Sequence, residues 1–352
     1  MIIVLPVFRQ EGWHSMDLCA DMLIKYAPAE TELEIGLPKY RKILGYLPSK
    51  KAINFDRWFN RWKVYPGHLE KLWSWRGHFH IVDHSYAHLA NHLPKGSVGV
   101  YCHDLDAFRC ILEPETERRP EWFQKMMEKV LEGLIRARLV FCSTDMTRKK
   151  LMELGYWKPE SIQVVPYGVA EEFIAEGPRE SGNYILHVGS CIPRKRIDVL
   201  LKAFNQIAKK FSGMNLIQAG GSFSGEQKRL IRDLGLGNRL SQRRNLSRVE
   251  LARLYRGARC LVISSEAEGF GLPVIEGLAC GTKVAASDLP TLREAGGSLA
   301  CYFAPGDPAA CADAIAICLA DSTIPVPHNR LPEWTWARHA SGIFRAYGSL
   351  GV

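Results

Sequence analysis

Short runs of β-branched and other apolar residues alternate along the chain with longer stretches in which apolar positions recur about every three to four residues. The short runs suit strands buried on both faces, and the periodic stretches suit helices that cover them, so the pattern predicts an α/β class with parallel sheets. In the first half, strands are predicted over 2–8, 80–82, 98–102 and 139–143, with helices over 15–26 and 122–137. In the second half, strands over 184–188, 215–219, 260–264 and 283–286 alternate with helices over 197–210, 226–234, 248–255 and 273–279. Between the two sets, residues 164–169 read VVPYGV, where Pro166 and Gly168 punctuate the chain before an acidic stretch. Two doubly wound domains are therefore expected, over 1–168 and 169–330, facing a ligand cleft at the carboxyl ends of their strands. The tail 331–352, with an amphipathic helix over 335–347, is expected to pack back on the first domain.

Composition narrows the class without choosing a function. With 352 residues, 47% hydrophobic and 24% charged, the chain has the make-up of an ordinary globular protein and not of a disordered or collagen-like one. No uncharged apolar run approaches the roughly 18 residues of a spanning helix, and the opening apolar run lacks the basic flank of a signal peptide. The closest cysteine pairs, Cys102/Cys110 and Cys311/Cys318, are too widely spaced for a C-x-x-C motif, so all ten thiols are expected reduced and mostly buried. These features predict a cytoplasmic protein.

The formal net charge of +9 is local in origin. Residues 39–76 hold ten basic side chains (Lys39, Arg41, Lys42, Lys50, Lys51, Arg57, Arg61, Lys63, Lys71, Arg76) against two acids, Asp56 and Glu70. Aromatics are interleaved: Tyr40, Tyr46, Phe55, Trp58, Phe59, Trp62, Tyr65, Trp73 and Trp75. Such a segment suits an anionic membrane surface or single-stranded nucleic acid. It is equally read as a solvated basic face whose aromatics lie in the core.

The densest chemistry lies in residues 264–297, SSEAEGFGLPVIEGLACGTKVAASDLPTLREAGG. A strand ends there, Gly269 and Gly271 let the backbone turn, and Pro273 opens a helix at a position proline tolerates. The amides of Phe270, Gly271 and Leu272 at that helix start suit sugar hydroxyls and a phosphate. Glu268 and Glu276 can each accept from a vicinal diol, although Glu276 also reads as a first-turn charge complementing the helix dipole. Upstream, HVGSCIPRKR follows a strand: Gly189 permits close approach of a diphosphate, Arg194 offers a planar fork and Lys195 a point charge. Cations at a helix start are disfavoured by its dipole, which points to an anionic ligand; Arg196 is also read as continuing the exposed face. In the first half, His103-Asp104-Leu105-Asp106 follows a strand and contains an acidic D-x-D of the kind that holds a divalent metal. His84 and His88 either line an acceptor site or are satisfied core histidines. The first βα turn holds Gly12 but no G-x-G-x-x-G, which argues against a dehydrogenase.

Glu268-x7-Glu276 with its GFGLP insert resembles the E-x7-E motif of retaining glycosyltransferases of the GT-B fold, family 4, also called glycosyltransferase group 1. The likeness extends through Cys280-Gly281-Thr282, Ser287-Asp288 and Glu294-Ala295-Gly296. It departs at Lys283, where the family usually has proline. The resemblance implies two Rossmann-like domains, with the first binding the acceptor and the second a nucleotide diphosphate sugar. It implies that Glu268 fixes the donor hexose, that His103 faces it, and that Gly12, Gly189, Arg194, Lys195, Phe270, Gly271, Leu272 and Glu276 bind the donor. No metal and no cofactor are expected, because Arg194 and Lys195 already neutralise the leaving diphosphate. The turn over 243–247 is expected to read the base. The adjacent Arg-Lys pair resembles the branch rich in mannosyltransferases and leans toward GDP-mannose, with a UDP-sugar (glucosyl or GlcNAc) enzyme as the alternative. The basic aromatic segment favours a glycan or lipid-linked acceptor met at the inner face of a membrane, with no nucleic acid expected. Two competing readings remain: an epimerase or hydrolase of the same fold, and a catalytically inactive membrane- or nucleic-acid-binding module.

Overall fold

The computed structural model describes residues 1–72, 77–321 and 333–350. Trp73, Trp75 and Arg76 of the basic aromatic segment, and the expected domain end near 330, lie outside the described residues. Two compact units emerge, one of Met1–Tyr167 with Trp336–Val352 and one of Gly168–Thr335.

The first unit is built on six parallel strands: β1 (Ile2–Leu5), β2 (Leu33–Ile35), β3 (His78–Ile81), β4 (Val98–Cys102), β5 (Leu139–Cys142) and β6 (Ile162–Val164). Their spatial order is β2-β1-β3-β4-β5-β6. Every residue of β1, β4 and β5 is buried, which explains their unbroken apolar sequences. β1 ends at Leu5 and not at residue 8, because Pro6 has no amide to continue the ladder. The direction of winding reverses between β1 and β3, so the turns leaving these strands flank this sheet's switch point. Helices α1 (His14–Lys25), α2 (Lys50–Phe59), α3 (Glu121–Arg136) and α4 (Asp145–Glu153) belong to this unit. The inward face of α3, with Met127, Val130 and Leu134, enters the core.

The second unit has six parallel strands, β7 (Tyr184–Gly189), β8 (Asn215–Gly220), β9 (Leu240–Arg243), β10 (Cys260–Ile263), β11 (Val284–Ser287) and β12 (Ala300–Phe303), ordered β12-β11-β10-β7-β8-β9. This is the dinucleotide-fold order, with its switch point between β7 and β10. Its helices are α5 (Ile197–Lys210), α6 (Gly225–Asp233), α7 (Arg248–Gly257), α8 (Leu272–Ala279), α9 (Pro290–Gly296) and α10 (Pro308–Ala320). Helices α6 and α7 open with reciprocal capping boxes, Ser224 with Gln227 and Ser247 with Glu250.

The last helix, α11 (Trp336–Gly348), belongs to the first unit. Its Tyr347 hydroxyl donates to the Phe79 carbonyl (3.2 Å) and lies 3.0 Å from Nδ1 of His80. Since one hydroxyl carries one proton, His80 donates to it. Gly99 makes room for this tyrosine, because a Cβ there would overlap the hydroxyl. The cysteines are all free, nine of them buried and Cys301 half-buried.

Candidate functional site

The switch point of the second sheet positions the densest polar cluster. β7 ends at Gly189 and runs through residues 190–192 into a single tight turn, Pro193–Lys195. β10 ends at Ile263 and feeds the glycine loop before α8. The two connections are stitched together by their backbones: the Glu266 amide donates to the Arg194 carbonyl (2.8 Å), and the Ser264 hydroxyl to the Lys195 carbonyl (2.9 Å). On this frame Lys195 Nζ meets Glu268 Oε1 at 2.5 Å, and Arg194 Nη1 lies 3.6 Å from Oε2 while donating to the Ala267 carbonyl at 2.8 Å. The Ser265 hydroxyl donates to the same Oε1 at 2.6 Å, and Thr291 anchors the Glu268 carbonyl at 2.9 Å. The Glu268 side chain is only 10% exposed. Two cations and a hydroxyl thus converge on one enclosed side chain. Arg196 is spent elsewhere: its guanidinium grips Asp198 at 2.9 and 3.0 Å, which holds the Asp198 carboxyl below its ordinary range.

Gly271 sets the geometry of the loop's end. It adopts φ +103, a left-handed conformation, and a Cβ there would stand 2.7 Å from Leu292 Cδ2. Its carbonyl accepts from Val274 and Ile275, so α8 starts at Leu272, and since Pro273 has no N–H the amide this helix start offers is that of Leu272. Phe270 is buried, its ring edge-on to Trp334 with centroids 6.5 Å apart.

Glu276 departs from the first-turn position anticipated for it. With α8 starting at Leu272, Glu276 is its fifth residue, and no acidic residue occupies the first turn. The side chain is buried and accepts from the Tyr255 hydroxyl at 2.8 Å. Burial outweighs that hydrogen bond and pushes its carboxyl up to about 7.

In the first unit, His103 is buried with both ring nitrogens engaged: Nε2 donates to the Val82 carbonyl at 3.0 Å, which leaves Nδ1 to accept from the Tyr167 hydroxyl. Burial keeps this imidazole neutral by lowering its pKa. The His103 amide donates to Nδ1 of His84 (3.2 Å), and His88 Nε2 lies 3.1 Å from the Arg61 carbonyl, so both histidines are part of the packed interior. Gly12 takes φ +73, but its amide closes a turn onto the Arg9 carbonyl (3.0 Å). The Gly12 amide is thus already engaged and does not bind the donor directly, and the amides of His14 and Ser15 at the start of α1 are the donors left at this switch point. Asp104 caps its own loop by accepting from the Asp106 amide at 3.1 Å. Among the described residues no group of three or more His, Cys, Asp or Glu side chains could hold a metal ion.

Residues 169–330, which carry the Arg194, Lys195 and Glu268 cluster, match the family described as Glycosyl transferases group 1. The likeness to group 1 glycosyl transferases is thus carried by the second unit. The chain is also 27% identical over 252 residues to the O-antigen chain mannosyltransferase B of Escherichia coli, an alignment taking in 67% of this chain and spanning 65% of the length of that relative. In three dimensions it is similar to a sucrose-phosphate synthase from Thermosynechococcus elongatus, with TM-score 0.71, 19% identity and coverage of 99% of this chain and 98% of that one. HepE of Anabaena, solved with UDP-glucose, gives TM-score 0.67 at 16% identity, covering 99% and 94% of the two chains. The fold is therefore GT-B.

Within the second unit, three side chains that the sequence motifs did not single out support those that they did. Ser265 and Thr291 fix Glu268, and Tyr255 fixes Glu276. Ser265 lies in the glycine-loop segment, three residues before its partner, whereas Tyr255 comes from another helix and leaves no local signal. A fourth, His187, lies under Gly189 and the Lys195 stem, buried, with Nδ1 lacking a partner and its pKa pushed down to about 3 by burial and by Lys195.

Proposed function

We propose that the protein is a retaining hexosyltransferase that moves a sugar from a nucleotide diphosphate sugar to a hydroxyl of a glycan or lipid-linked acceptor. The observation that supports this most is the convergence of Arg194 and Lys195 on Glu268 at the switch point of the unit that matches group 1 glycosyl transferases. In this reading the diphosphate takes over the two cations and the hexose hydroxyls take over Glu268, so the ion cluster exchanges partners when the donor arrives. Gly189 and the α8 start, with Phe270, Gly271 and Leu272, cradle the diphosphate, and Glu276 accepts from the ribose diol.

In the chemical step the bond from the anomeric carbon to the phosphate oxygen breaks and a bond to the acceptor oxygen forms on the same face. The acceptor proton passes to the departing phosphate oxygen, and negative charge grows where Arg194 and Lys195 stand. His103 meets the hexose once its Nε2 exchanges the Val82 carbonyl for a sugar hydroxyl; Gly12 supplies the turn that aims the α1 start. No cofactor enters this scheme. Mannose from GDP-mannose is the favoured donor, supported by the likeness to the O-antigen chain mannosyltransferase B of Escherichia coli. A UDP-sugar is the second reading, supported by the fold shared with HepE. A lipid-linked acceptor would bring the chain to the inner face of a membrane as a peripheral protein.

The test is a thermal-shift panel of GDP, UDP, ADP and their hexose conjugates, with and without EDTA. A rise with one base that survives EDTA supports the proposal and names the donor class; a rise abolished by EDTA transfers the diphosphate role to a metal at Asp104 and Asp106. No rise with any nucleotide overturns the transferase reading. The anomeric configuration of the product, read by NMR, decides retention.

A further inference from the structure

One face of the second sheet changes character as it nears the Arg194–Lys195 turn. Ile185, Leu216 and Leu240 stand side by side in register across β7, β8 and β9, and all three are apolar. Two residues further along the same face, the register brings His187, Gln218 and Gln242 together. Gln218 is fully buried. The two glutamines form a chain: Gln242 Nε2 donates to Gln218 Oε1 (2.8 Å) and to the Gly221 carbonyl (2.9 Å), and Gln218 Nε2 donates to the Gly189 carbonyl (2.8 Å). Each Nε2 abuts a carbonyl oxygen, where only an amide nitrogen fits, so the direction of the chain is fixed. The Gly189 carbonyl also accepts from the Gly221 amide (2.9 Å), and Gly220 permits this approach with φ +118, since a Cβ there would stand 2.6 Å from the Gly189 oxygen. A third glutamine holds the loop further on: Gln227, of the α6 capping box, donates from Nε2 to the Cys191 carbonyl (2.9 Å).

We infer that Gln218 and Gln242 are positioning residues for a diphosphate ligand: they hold the loop of residues 189–192 with its carbonyls turned toward the glutamines and the amides of Ser190 and Ile192 turned away, toward the anion. A trans peptide points its C=O and N–H in opposite directions, and the peptides here are trans, so fixing the Gly189 and Cys191 carbonyls fixes those two amides. Neither amide meets an acceptor among the described residues, and both residues are exposed. Outward amides in a loop make an anion site from backbone alone, and Lys195 supplies charge beside it, its Cε 3.8 Å from where a Gly189 Cβ would stand. Packing does not demand these glutamines. The preceding row of the face is apolar, and the Gly189 carbonyl keeps the Gly221 amide without Gln218, so a shape-matched apolar side chain would still hold the sheet. The orientation of the loop is what it would lose. Gln242 also directly precedes the turn over 243–247, the expected reader of the base, so the chain ties that turn to the diphosphate loop. The identity of the ligand rests on the nucleotide-sugar reading above.

The experiment is calorimetric titration of the full chain with GDP, UDP and inorganic pyrophosphate, for the wild type, Gln218→Met, Gln242→Met and the double variant. Methionine keeps the length of glutamine and removes its amide. Gln218→Met is expected to weaken the diphosphate that binds about tenfold and Gln242→Met about threefold, with pyrophosphate weakened by the same factors. Because Gln242 acts through Gln218, the double variant should lose about tenfold and not the product of the two. A melting temperature within a few degrees of wild type in the absence of ligand shows that each variant is folded. Unchanged affinity in both single variants, losses that multiply in the double, or a large fall in melting temperature with wild-type affinity in the fraction still folded would overturn the inference. Pyrophosphate binding that the variants weaken, in a chain that binds neither nucleotide, leaves the positioning role standing and removes the nucleotide-sugar reading; nucleotide binding of equal strength in all four proteins does the reverse.

Discussion

Glu268 accepts from Lys195 and Ser265 and faces Arg194, and its replacement by Gln keeps the shape while removing the charge. Two cations then lose their partner at a poorly exposed site, so Glu268→Gln should cost some stability but still fold. If the carboxylate fixes the hexose, kcat should fall about a hundredfold or more while nucleotide diphosphate affinity stays within a few-fold or tightens, because the cations are freed for phosphate. Parallel loss of both in steady-state kinetics and calorimetry would remove that role. Tyr255→Phe tests Glu276 by another route. The phenol stabilises the charged carboxyl, so its loss should raise a pKa already near 7 by about one further unit. Donor affinity at pH 7 should then drop several-fold and recover as pH rises toward 9; an unshifted pH profile would mean that Glu276 is not ionised when the donor binds.

At the scale of elements, the strands that escaped the sequence pattern share one property. β2, β6, β9 and β12 are the four edge strands of the two sheets. An edge strand needs fewer apolar residues because one side of it meets solvent, so Leu240–Arg243, which reads LSQR, offers no hydrophobic run to detect. Central strands such as Leu139–Cys142 were legible because both faces are buried. Helix α2 was missed for the opposite reason: its apolar residues face out and its polar ones in, so amphipathicity misleads about which face is core. The site was legible where a loop carries its chemistry in consecutive residues, as Arg194-Lys195 and Glu268-Gly269-Phe270-Gly271 do. It was illegible where partners come from distant segments, as with Tyr255 and Glu276 or His103 and Tyr167. Gly271→Ala puts the loop itself to the test. Its left-handed backbone should cost about 1–2 kcal/mol for an alanine, with more for displacing Leu292, lowering Tm by several degrees and weakening donor binding. An unchanged melt would show that the loop is not held in this conformation.

For the whole molecule, the two units should respond differently to acid. The first unit buries His80 and His88, each held down to about 3, His339 held down to about 4, and His103, also lowered, all chiefly by desolvation. Each stays neutral when folded and takes up a proton when unfolded below about pH 6.5, so each removes about 1.4 kcal/mol of stability per pH unit under that value. The sign follows from the depressed folded-state values: this stability is complete above pH 6.5 and declines as pH falls toward 4. In the second unit His187 acts in the same direction, but Glu276 acts against it. Its folded carboxyl, raised to about 7, already holds a proton that the unfolded chain releases above its ordinary range, so acidification down to that range favours the folded form. The two contributions nearly cancel. Calorimetry should therefore show one merged transition near pH 7.5 and two near pH 5, with the first unit melting earlier. A nucleotide diphosphate, held chiefly by the second unit in this reading, should raise the later transition more than the earlier one. A single cooperative melt whose midpoint hardly moves between pH 7.5 and 5 would show that the buried histidines of the first unit are not kept neutral at the expense of its stability.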